Sequence, residues 1–140
     1  MSKGEIIAIL DTSALYPLLK RLGKKALSVL LRTTILDLTK YELGDALWRE
    51  HKRGLIEEWE KLIKSWSEII AELPQQSIEH ESLKEVEGIA VERDLTFYDS
   101  SYVYMAEKLN IKLVTEDEDV LRKCRNAISL NEFLKEINAV

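Results

Sequence analysis

The sequence has few residues of the kinds that build disulfides or soft metal sites. It contains one cysteine and two histidines among 140 residues. A single cysteine excludes an intramolecular disulfide and a cysteine-rich zinc site, and it is typical of a reducing cytoplasm. Two histidines are too few to anchor a His-based metal centre. Any metal site built from this chain is therefore expected to use oxygen ligands.

Long apolar runs and an excess of positive charge are also absent. The N-terminal run "IIAIL" is too short for a signal peptide or a membrane span, so we expect a cytoplasmic protein without membrane association. The net charge of −5 argues against a simple nucleic-acid coat protein. An acidic site can still act on RNA when metal ions reverse its local sign. Five glycines and two prolines beside many Lys and Glu residues are a composition found in thermophiles.

The length and the apolar pattern predict one α/β domain covering residues 1–140. Short apolar runs indicate strands, and longer stretches with helical spacing separate them. This alternation predicts a three-layer α/β/α arrangement, with a central, mostly parallel sheet of about four to five strands and many helices. The predicted strands are 6–10, 33–38 (strand or loop), 111–115 and 127–130. The predicted helices are 13–23, 24–32, 39–54, 55–73, 77–94, 100–110, 118–124 and 131–137.

Two aspartates directly follow predicted strands. Asp11 ends the first strand, and Asp117 comes just after the strand at 111–115. Sites in open parallel sheets lie beyond the carboxyl ends of the strands, so these two side chains are expected at one edge. Glu42 lies one turn into the helix that follows residues 33–38. Asp99 precedes its strand, and periodicity alone does not bring it to that edge.

Carboxylates that converge on one pocket repel one another. At ~4 Å the repulsion is roughly 4 kcal/mol per pair for an effective dielectric constant near 20. Such groups stay ionised together only when cations bind between them; otherwise some take up protons. Oxygen ligands without His or Cys select hard ions such as Mg²⁺ or Mn²⁺. The chemistry that such a site favours is metal-assisted hydrolysis of phosphodiesters.

Four segments carry a resemblance to a known family, and they span most of the chain except residues 55–94. They are "IIAILDTSAL", "LTKYELGDALWR", "TFYDSSYVYMAEKLNIKLVTEDEDVL" and "AISLNEFL". Their order and content resemble the PIN domain, a metal-dependent ribonuclease fold, and its VapC-type toxin branch. Two positions depart from the family pattern. Asp45 stands where the family often has Asn, and Ser100 stands where it often has Ala.

The resemblance implies a Mg²⁺- or Mn²⁺-dependent endoribonuclease that is the toxin of a VapBC-type toxin–antitoxin pair. It implies an RNA substrate, a cognate antitoxin and a homodimer as partners. Asp11 and Asp99 would be the central metal ligands. Glu42 and Asp117 would bind a second ion or orient metal-bound water. The supporting hydroxyls would come from Thr115, Ser13 and Thr12.

Each acid also has a local structural explanation. Asp11 suits the N-cap of the helix near Ser13, and Asp99 suits the N-cap of residues 100–109. Thr115 and Glu118 have the spacing of a capping box. Glu42 alone is a typical solvated helix charge, and Asp45 has the spacing to pair with Arg49. We assign Glu116, Glu118 and Asp119 mainly to solvent and helix-dipole roles, and the sequence leaves open whether they or Asp45 join the site.

The basic and aromatic residues are less specific. Arg49 is the best candidate to hold an RNA phosphate, because it lies two turns past Glu42 on the same face. We expect the three tryptophans, Trp48, Trp59 and Trp66, to make core or dimer contacts rather than to stack on bases. Cys124 is expected to be a small buried hydrophobic residue.

Alternative functions remain at this point. The first is a non-catalytic interaction module that keeps the PIN fold, or an RNA-processing nuclease unrelated to toxin–antitoxin systems. The second is an aspartyl-phosphate enzyme. The phosphatases of that class need Asp-x-Asp after the first strand, and this chain has Asp11-Thr12-Ser13. A receiver-type phosphoacceptor needs an early acid pair and a late lysine after a strand, and neither is evident.

Overall fold

A five-stranded parallel sheet forms the centre of the computed structural model, which describes residues 4–138. Its strand order is β3-β2-β1-β4-β5. The strands are β1 (Ala8–Leu10), β2 (Thr33–Leu36), β3 (Gln75–Gln76), β4 (Lys112–Val114) and β5 (Ala127–Ile128). The predicted α/β/α architecture is confirmed. Strand β3 was not predicted, because two glutamines carry no apolar signal.

Eight α-helices connect and cover these strands within the described residues. They are α1 (Thr12–Leu22), α2 (Ala26–Val29), α3 (Thr39–Lys52), α4 (Trp59–Ala71), α5 (Leu83–Arg93), α6 (Phe97–Leu109), α7 (Glu118–Lys123) and α8 (Leu130–Glu136). None of the helices within residues 4–138 is long and apolar enough to cross a membrane.

Three of the predicted helices were too long, and a fourth was predicted to start at residue 100, whereas α6 starts at Phe97. The helix expected over 24–32 is one α-helical turn, α2, after a 3₁₀ turn at Gly23–Lys25. The helix expected over 55–73 starts only at Trp59, and the one expected over 77–94 starts at Leu83 after a 3₁₀ turn at His80–Ser82. In each of the three long predictions a periodic pattern extends past the residues that form regular hydrogen bonds, which is where helix boundaries are hardest to predict.

The side chains of the central strands alternate between two buried cores. Ala8 and Leu10 of β1 pack in one core, and Ile9 packs in the other. Strand β4 divides in the same way, with Val114 on the side of Leu10 and Leu113 on the side of Ile9. Because each face of these strands packs in a core, their sequences are continuous apolar runs. The centre of the sheet is therefore buried on both faces, and the polar residues Asp11 and Thr115 follow the ends of its strands.

Candidate active site at the edge of the sheet

The pairing of β1 with β4 brings two distant parts of the chain to one edge. Leu10 is in register with Val114, and the amide of Asp11 donates to the carbonyl of Val114 at 3.2 Å. Asp11 and Thr115 therefore both follow the ends of adjacent parallel strands. The predicted placement of these two segments at one edge is confirmed.

Asp11 is the N-cap of α1 and is almost completely buried. Its Oδ1 atom accepts a hydrogen bond from the hydroxyl of Ser13 at 2.6 Å and another from the amide of Ala14 at 3.2 Å. Burial raises the pKa of Asp11 to about 6, although the hydroxyls of Ser13 and Thr115 lower it in part. The charge of Asp99 raises it further. Capping and a site role are thus compatible for Asp11, because hydrogen bonds to one oxygen leave the other able to bind an ion.

The hydroxyl of Ser13 joins the start of α1 to the loop after β4. It accepts a hydrogen bond from the amide of Glu116 at 2.9 Å, and it lies 3.2 Å from Thr115 Oγ1. Thr115 Oγ1 in turn accepts from the amide of Asp117 at 3.1 Å. The expected capping box of Thr115 and Glu118 does not cap α7. Asp117 is the N-cap, accepting from the amide of Val120 at 3.0 Å.

Two hydroxyl groups bond Glu42 directly, and a third hydroxyl supports one of them. Its Oε1 atom accepts from Thr12 Oγ1 at 3.0 Å and from the Tyr102 hydroxyl at 2.7 Å. The Tyr102 hydroxyl also lies 2.7 Å from Thr39 Oγ1. Because a tyrosine has one hydroxyl proton and Tyr102 gives it to Glu42, Thr39 must donate to Tyr102. Thr39 Oγ1 accepts from the amide of Leu36 at 3.2 Å, which ties this set to the end of β2.

Asp99 lies in the first turn of α6, where the helix begins earlier than expected. Thr96 is the N-cap and accepts from the amide of Asp99, so the expectation that Asp99 caps residues 100–109 was wrong. Burial raises the pKa of Asp99, and the charges of Asp117 and Glu42 raise it as well. The extra turn of α6 brings Asp99 to the edge that periodicity alone did not predict for it. Asp99 therefore interacts electrostatically with each of the other three predicted site acids.

These four acids have no basic partner within residues 4–138. None of the ion pairs in that part of the chain includes Asp11, Glu42, Asp99 or Asp117. The same residues contain no group of three acidic, histidine or cysteine side chains already arranged to hold a metal ion. The other acids thus raise the pKa of Asp99, and Asp99 raises that of Asp11, but the four carboxylates are not drawn together around one point. This is the arrangement that mutual repulsion favours.

The other candidate residues lie at the margin of this cluster or outside it. Arg49 is exposed and pairs with Asp45 at 3.4 Å, as the spacing predicted, and no contact joins it to the four acids. Glu116 accepts from the amide of Leu130 through Oε2, so its side chain supports the start of α8. Asp119 pairs with Arg122 at 2.6 Å and still adds to the negative field at Asp99.

The sequence analysis missed the part that Tyr102 and Thr39 play. Tyr102 is buried like a packing residue, but its hydroxyl is also bonded to Glu42. The helical spacing of the sequence already indicated that Tyr102 and Thr39 lie beside the site acids. Tyr102 follows Asp99 by three residues on α6, and Thr39 precedes Glu42 by three on α3, so each lies on the side of its helix that carries the acid.

Comparison with known proteins identifies similar chains. The chain is 37% identical to "Exonuclease VapC9" of Pyrobaculum aerophilum over 131 residues, which are 94% of this chain and 96% of that protein. It is 33% identical to "Ribonuclease VapC3" of the same organism over 103 residues, 72% of this chain and 78% of that protein. No protein-family model matches the chain.

A solved structure agrees with these relatives. The crystal structure of PAE2754 from Pyrobaculum aerophilum superposes with a TM-score of 0.83 at 35% sequence identity. The match covers 97% of this chain and 99% of that one. Two proteins that share only a fold are not expected to be this similar in both sequence and structure. The chain therefore belongs to the VapC family of PIN-domain toxin ribonucleases.

Proposed function

We propose that this protein is a divalent-metal-dependent endoribonuclease and the toxin of a VapBC-type pair. In this proposal Asp11, Glu42, Asp99 and Asp117 form the active site. One observation carries the proposal: Asp99 interacts electrostatically with Asp11, Glu42 and Asp117, and no ion pair within residues 4–138 includes any of the four. The names of the two relatives, an exonuclease and a ribonuclease, support nucleic-acid hydrolysis.

The residues present fit a hard divalent cation such as Mg²⁺ or Mn²⁺. The donors are carboxylate oxygens, supported by hydroxyls and backbone amides rather than by histidine or cysteine. The hydrogen bonds to Asp11, Glu42 and Asp117 fall on one oxygen of each carboxylate, and the second oxygen can bind an ion. When bound, such an ion neutralises phosphate charge and promotes ionisation of the attacking water.

The chain's own groups fix the orientation of that site. Thr12 and Tyr102 hold Oε1 of Glu42, while Ser13 and the amide of Ala14 hold Oδ1 of Asp11. Such supporting bonds keep a carboxylate in one rotamer and preserve its ligand geometry. Asp99 has fewer constraints, since it is half-buried in the first turn of α6. We expect Asp99 to move most when an ion brings the carboxylates together.

The remaining partners are proposed on the same basis. We propose RNA as the substrate and a cognate antitoxin as the protein that blocks the acidic edge, because the chain belongs to the VapC family. We also propose a homodimer, since Leu55 and Trp59, near the start of α4, expose 66% and 43% of their surface and could form a self-complementary apolar face. A cytoplasmic location fits the one cysteine, Cys124, which is buried and whose pKa is raised by that burial.

The test is cleavage of a circular, internally labelled RNA in the presence of Mg²⁺, Mn²⁺ or EDTA. A circle has no ends, so an exonuclease leaves it intact and an endonuclease linearises it. We expect linearisation with either metal, none with EDTA, and none with Asp11→Asn or Asp99→Asn. Glu118→Gln is the matched control, because Glu118 is an exposed acid near the site that no contact joins to the four. Degradation of linear RNA alone would overturn the endonucleolytic step.

A metal titration by calorimetry accompanies the cleavage assay. We expect Mn²⁺ to bind the wild-type protein and Glu118→Gln with equal affinity, and to bind Asp99→Asn far more weakly. Equal binding to wild type and Asp99→Asn would remove Asp99 from the site. The absence of both binding and cleavage in the wild type would favour a non-catalytic module.

A further inference from the structure

We propose that one exposed face of α3 binds unpaired nucleotides of the RNA that enters the acidic edge. We call this face the α3 stripe and define it by Lys40, Tyr41, Trp48 and Lys52. The proposal rests on the proposed function, because it names how the same site would hold its substrate. The experiment below measures binding without cleavage, so that the two can fail separately.

Two large aromatic side chains of the stripe are open to solvent. Tyr41 is 69% exposed and Trp48 is 55% exposed. Of the core or dimer contacts expected for the tryptophans, Trp66 makes the core contact, whereas Trp48 lies outside the core and its dimer contact stays a prediction. Tyr41 and Trp48 are seven residues apart, so they point within about 20° of each other and lie about 10 Å apart along the helix. Two rings with this placement can contact neighbouring bases of one strand.

A lysine lies beside each of these rings. Lys40 Nζ is 5.4 Å from the centre of the Tyr41 ring, and Lys52 Nζ is 5.0 Å from the centre of the Trp48 ring. Neither lysine takes part in an ion pair within residues 4–138. Aromatic faces that stack on bases, set among cations that attract the backbone, are the two components of single-strand binding sites.

The stripe also lies where an acidic nuclease needs positive charge. The chain carries a net charge of −5, and its four site acids repel phosphates in the absence of metal. Tyr41 directly precedes Glu42 on α3, and the stripe extends from there toward the end of the helix. The two lysines thus place positive charge on the same helix as one of the proposed metal ligands. A strand bound along the stripe would reach the acidic edge at its Glu42 end.

A protein partner is the competing occupant, and a neighbouring groove offers it a different surface. That groove, about 390 Å³ in volume, lies between α3 and α4 and is lined by Leu47, Trp48, Trp59 and Ile63 together with Gly44 and His51. Its apolar walls suit a protein segment, and Trp59 belongs to the groove but not to the stripe. Trp48 borders both. Comparing substitutions at Trp48, Tyr41 and Trp59 therefore separates RNA binding from protein contact.

The experiment measures the affinity for a fluorescent eight-nucleotide oligouridylate by anisotropy with Mg²⁺ in an Asp99→Asn background, which keeps the RNA intact. We expect Trp48→Ala to weaken binding about 5- to 150-fold, the fold-change that corresponds to ~1–3 kcal/mol per stacked base. Tyr41→Ala is expected to fall in the same range. Lys52→Gln should reduce the salt dependence of binding. Trp59→Ala is the matched control and should change the affinity less than twofold.

A duplex of the same length provides the second arm. Its bases are already stacked on one another, so Trp48→Ala should change duplex affinity less than twofold. Sedimentation of each variant shows whether the oligomeric state has changed, and circular dichroism shows whether it is folded. Equal binding of oligouridylate by Trp48→Ala and its parent overturns the proposal, as does no measurable binding by the parent. Equal losses in Trp48→Ala and Trp59→Ala with a shift to smaller species also overturn it, because they indicate a protein interface.

The outcomes distinguish this inference from the proposed function. If wild-type protein cleaves circular RNA but Trp48→Ala binds normally, the nuclease assignment holds and the stripe is wrong. If the stripe variants lose affinity but no metal supports cleavage by the wild type, the stripe holds and the catalytic assignment is wrong.

Discussion

The two ends of α6 carry acids in opposite surroundings. Near its C-terminal end, Glu107 accepts a hydrogen bond from Arg93 at 2.9 Å, and this pairing raises the pKa of Arg93. In its first turn, Asp99 has no such partner within residues 4–138, and burial and other acids raise its pKa. The helix dipole favours an acid at the N-terminal end and opposes one at the C-terminal end. Asp99 therefore has the more favourable position in the helix, yet its charge is less well balanced than that of Glu107.

This difference shows what distinguishes a structural acid from a candidate ligand. Glu107 is balanced by a cation that belongs to the chain. Asp99 is placed among carboxylates, and this group can be balanced only by a cation from solution or by the uptake of protons. A helix that merely needed capping would not collect further acids around its first turn. The predictions below test whether the two ends of α6 differ in function as they differ in charge balance.

The largest expected effect is on activity at the N-terminal end of α6. Asp99→Asn should lower metal-dependent RNA cleavage by at least about 100-fold, because it removes the charge of a proposed metal ligand without changing the size of the side chain. Glu107→Gln, the same kind of change at the other end of the helix, should leave the rate within about twofold. Initial rates on a labelled RNA check both. Equal losses in the two variants would show that α6 acids matter for folding rather than for the site.

The next largest effect is expected on metal binding and cleavage when the hydroxyl of Tyr102, which bonds Glu42, is removed. Tyr102→Phe should weaken Mn²⁺ binding and lower the cleavage rate about 10- to 100-fold, because the lost bond allows Glu42 to leave its position. Calorimetric titration and initial rates measure the two quantities. Tyr104→Phe is the matched control, since the Tyr104 hydroxyl on the same helix bonds Ser82 outside the site. Unchanged Mn²⁺ affinity in Tyr102→Phe would mean that Glu42 is not a ligand.

A pH-dependent effect on stability is expected at Asp11. Its pKa is raised from 3.8 to about 6 in the folded protein. The folded state therefore binds more protons than the unfolded state between these values, and stability falls as the pH rises through that window. Asp11→Asn should consequently stabilise the metal-free protein at pH 7 by up to about 3 kcal/mol, and by much less at pH 4. Asn also keeps the N-cap.

Urea unfolding in EDTA at both pH values measures this effect. Addition of Mn²⁺ at pH 7 should reverse the order, because it stabilises the wild type and not Asp11→Asn. A variant that is less stable than the wild type at pH 7 in EDTA would show that the charge of Asp11 is well compensated by its hydrogen bonds.

The smallest expected effect is on stability at the C-terminal end of α6. Arg93→Gln should cost about 1 kcal/mol or less, because the pair is partly exposed and screened by solvent. The measurement is the midpoint of urea unfolding at low and high salt. A loss well above this value would mean that the pair is structurally essential, and the contrast with Asp99 would then be weaker.

The sequence predicted the positions of those site residues that directly follow a β-strand. Asp11 follows an apolar run that could only be buried, and Asp117 follows another, so the parallel sheet rule placed both. The position of Asp99 was not predictable from periodicity, because it depends on the extra turn that Thr96 starts in α6. The packing of Tyr102 against Glu42 joins residues 60 positions apart, and local patterns do not report such contacts.

The fold was predicted to a similar extent and for similar reasons. Apolar strands such as β1 and β4 stand out because both of their faces are covered. Strand β3 consists of two glutamines at the edge of the sheet, and the main chain rather than the side chains determines its pairing with β2. The sequence left open whether Trp48 contacts the core or a second subunit, because helical spacing shows which residues share a face and not whether another element covers that face.

The register of Leu10 with Val114 has a consequence for synthesis of the protein. The two strands whose ends carry the acidic edge are separated by most of the chain, so translation must pass Val114 before the edge can form. At about 5–20 residues per second, about 5–20 s pass between synthesis of Asp11 and synthesis of Val114. A partly made chain is therefore expected to lack the complete site.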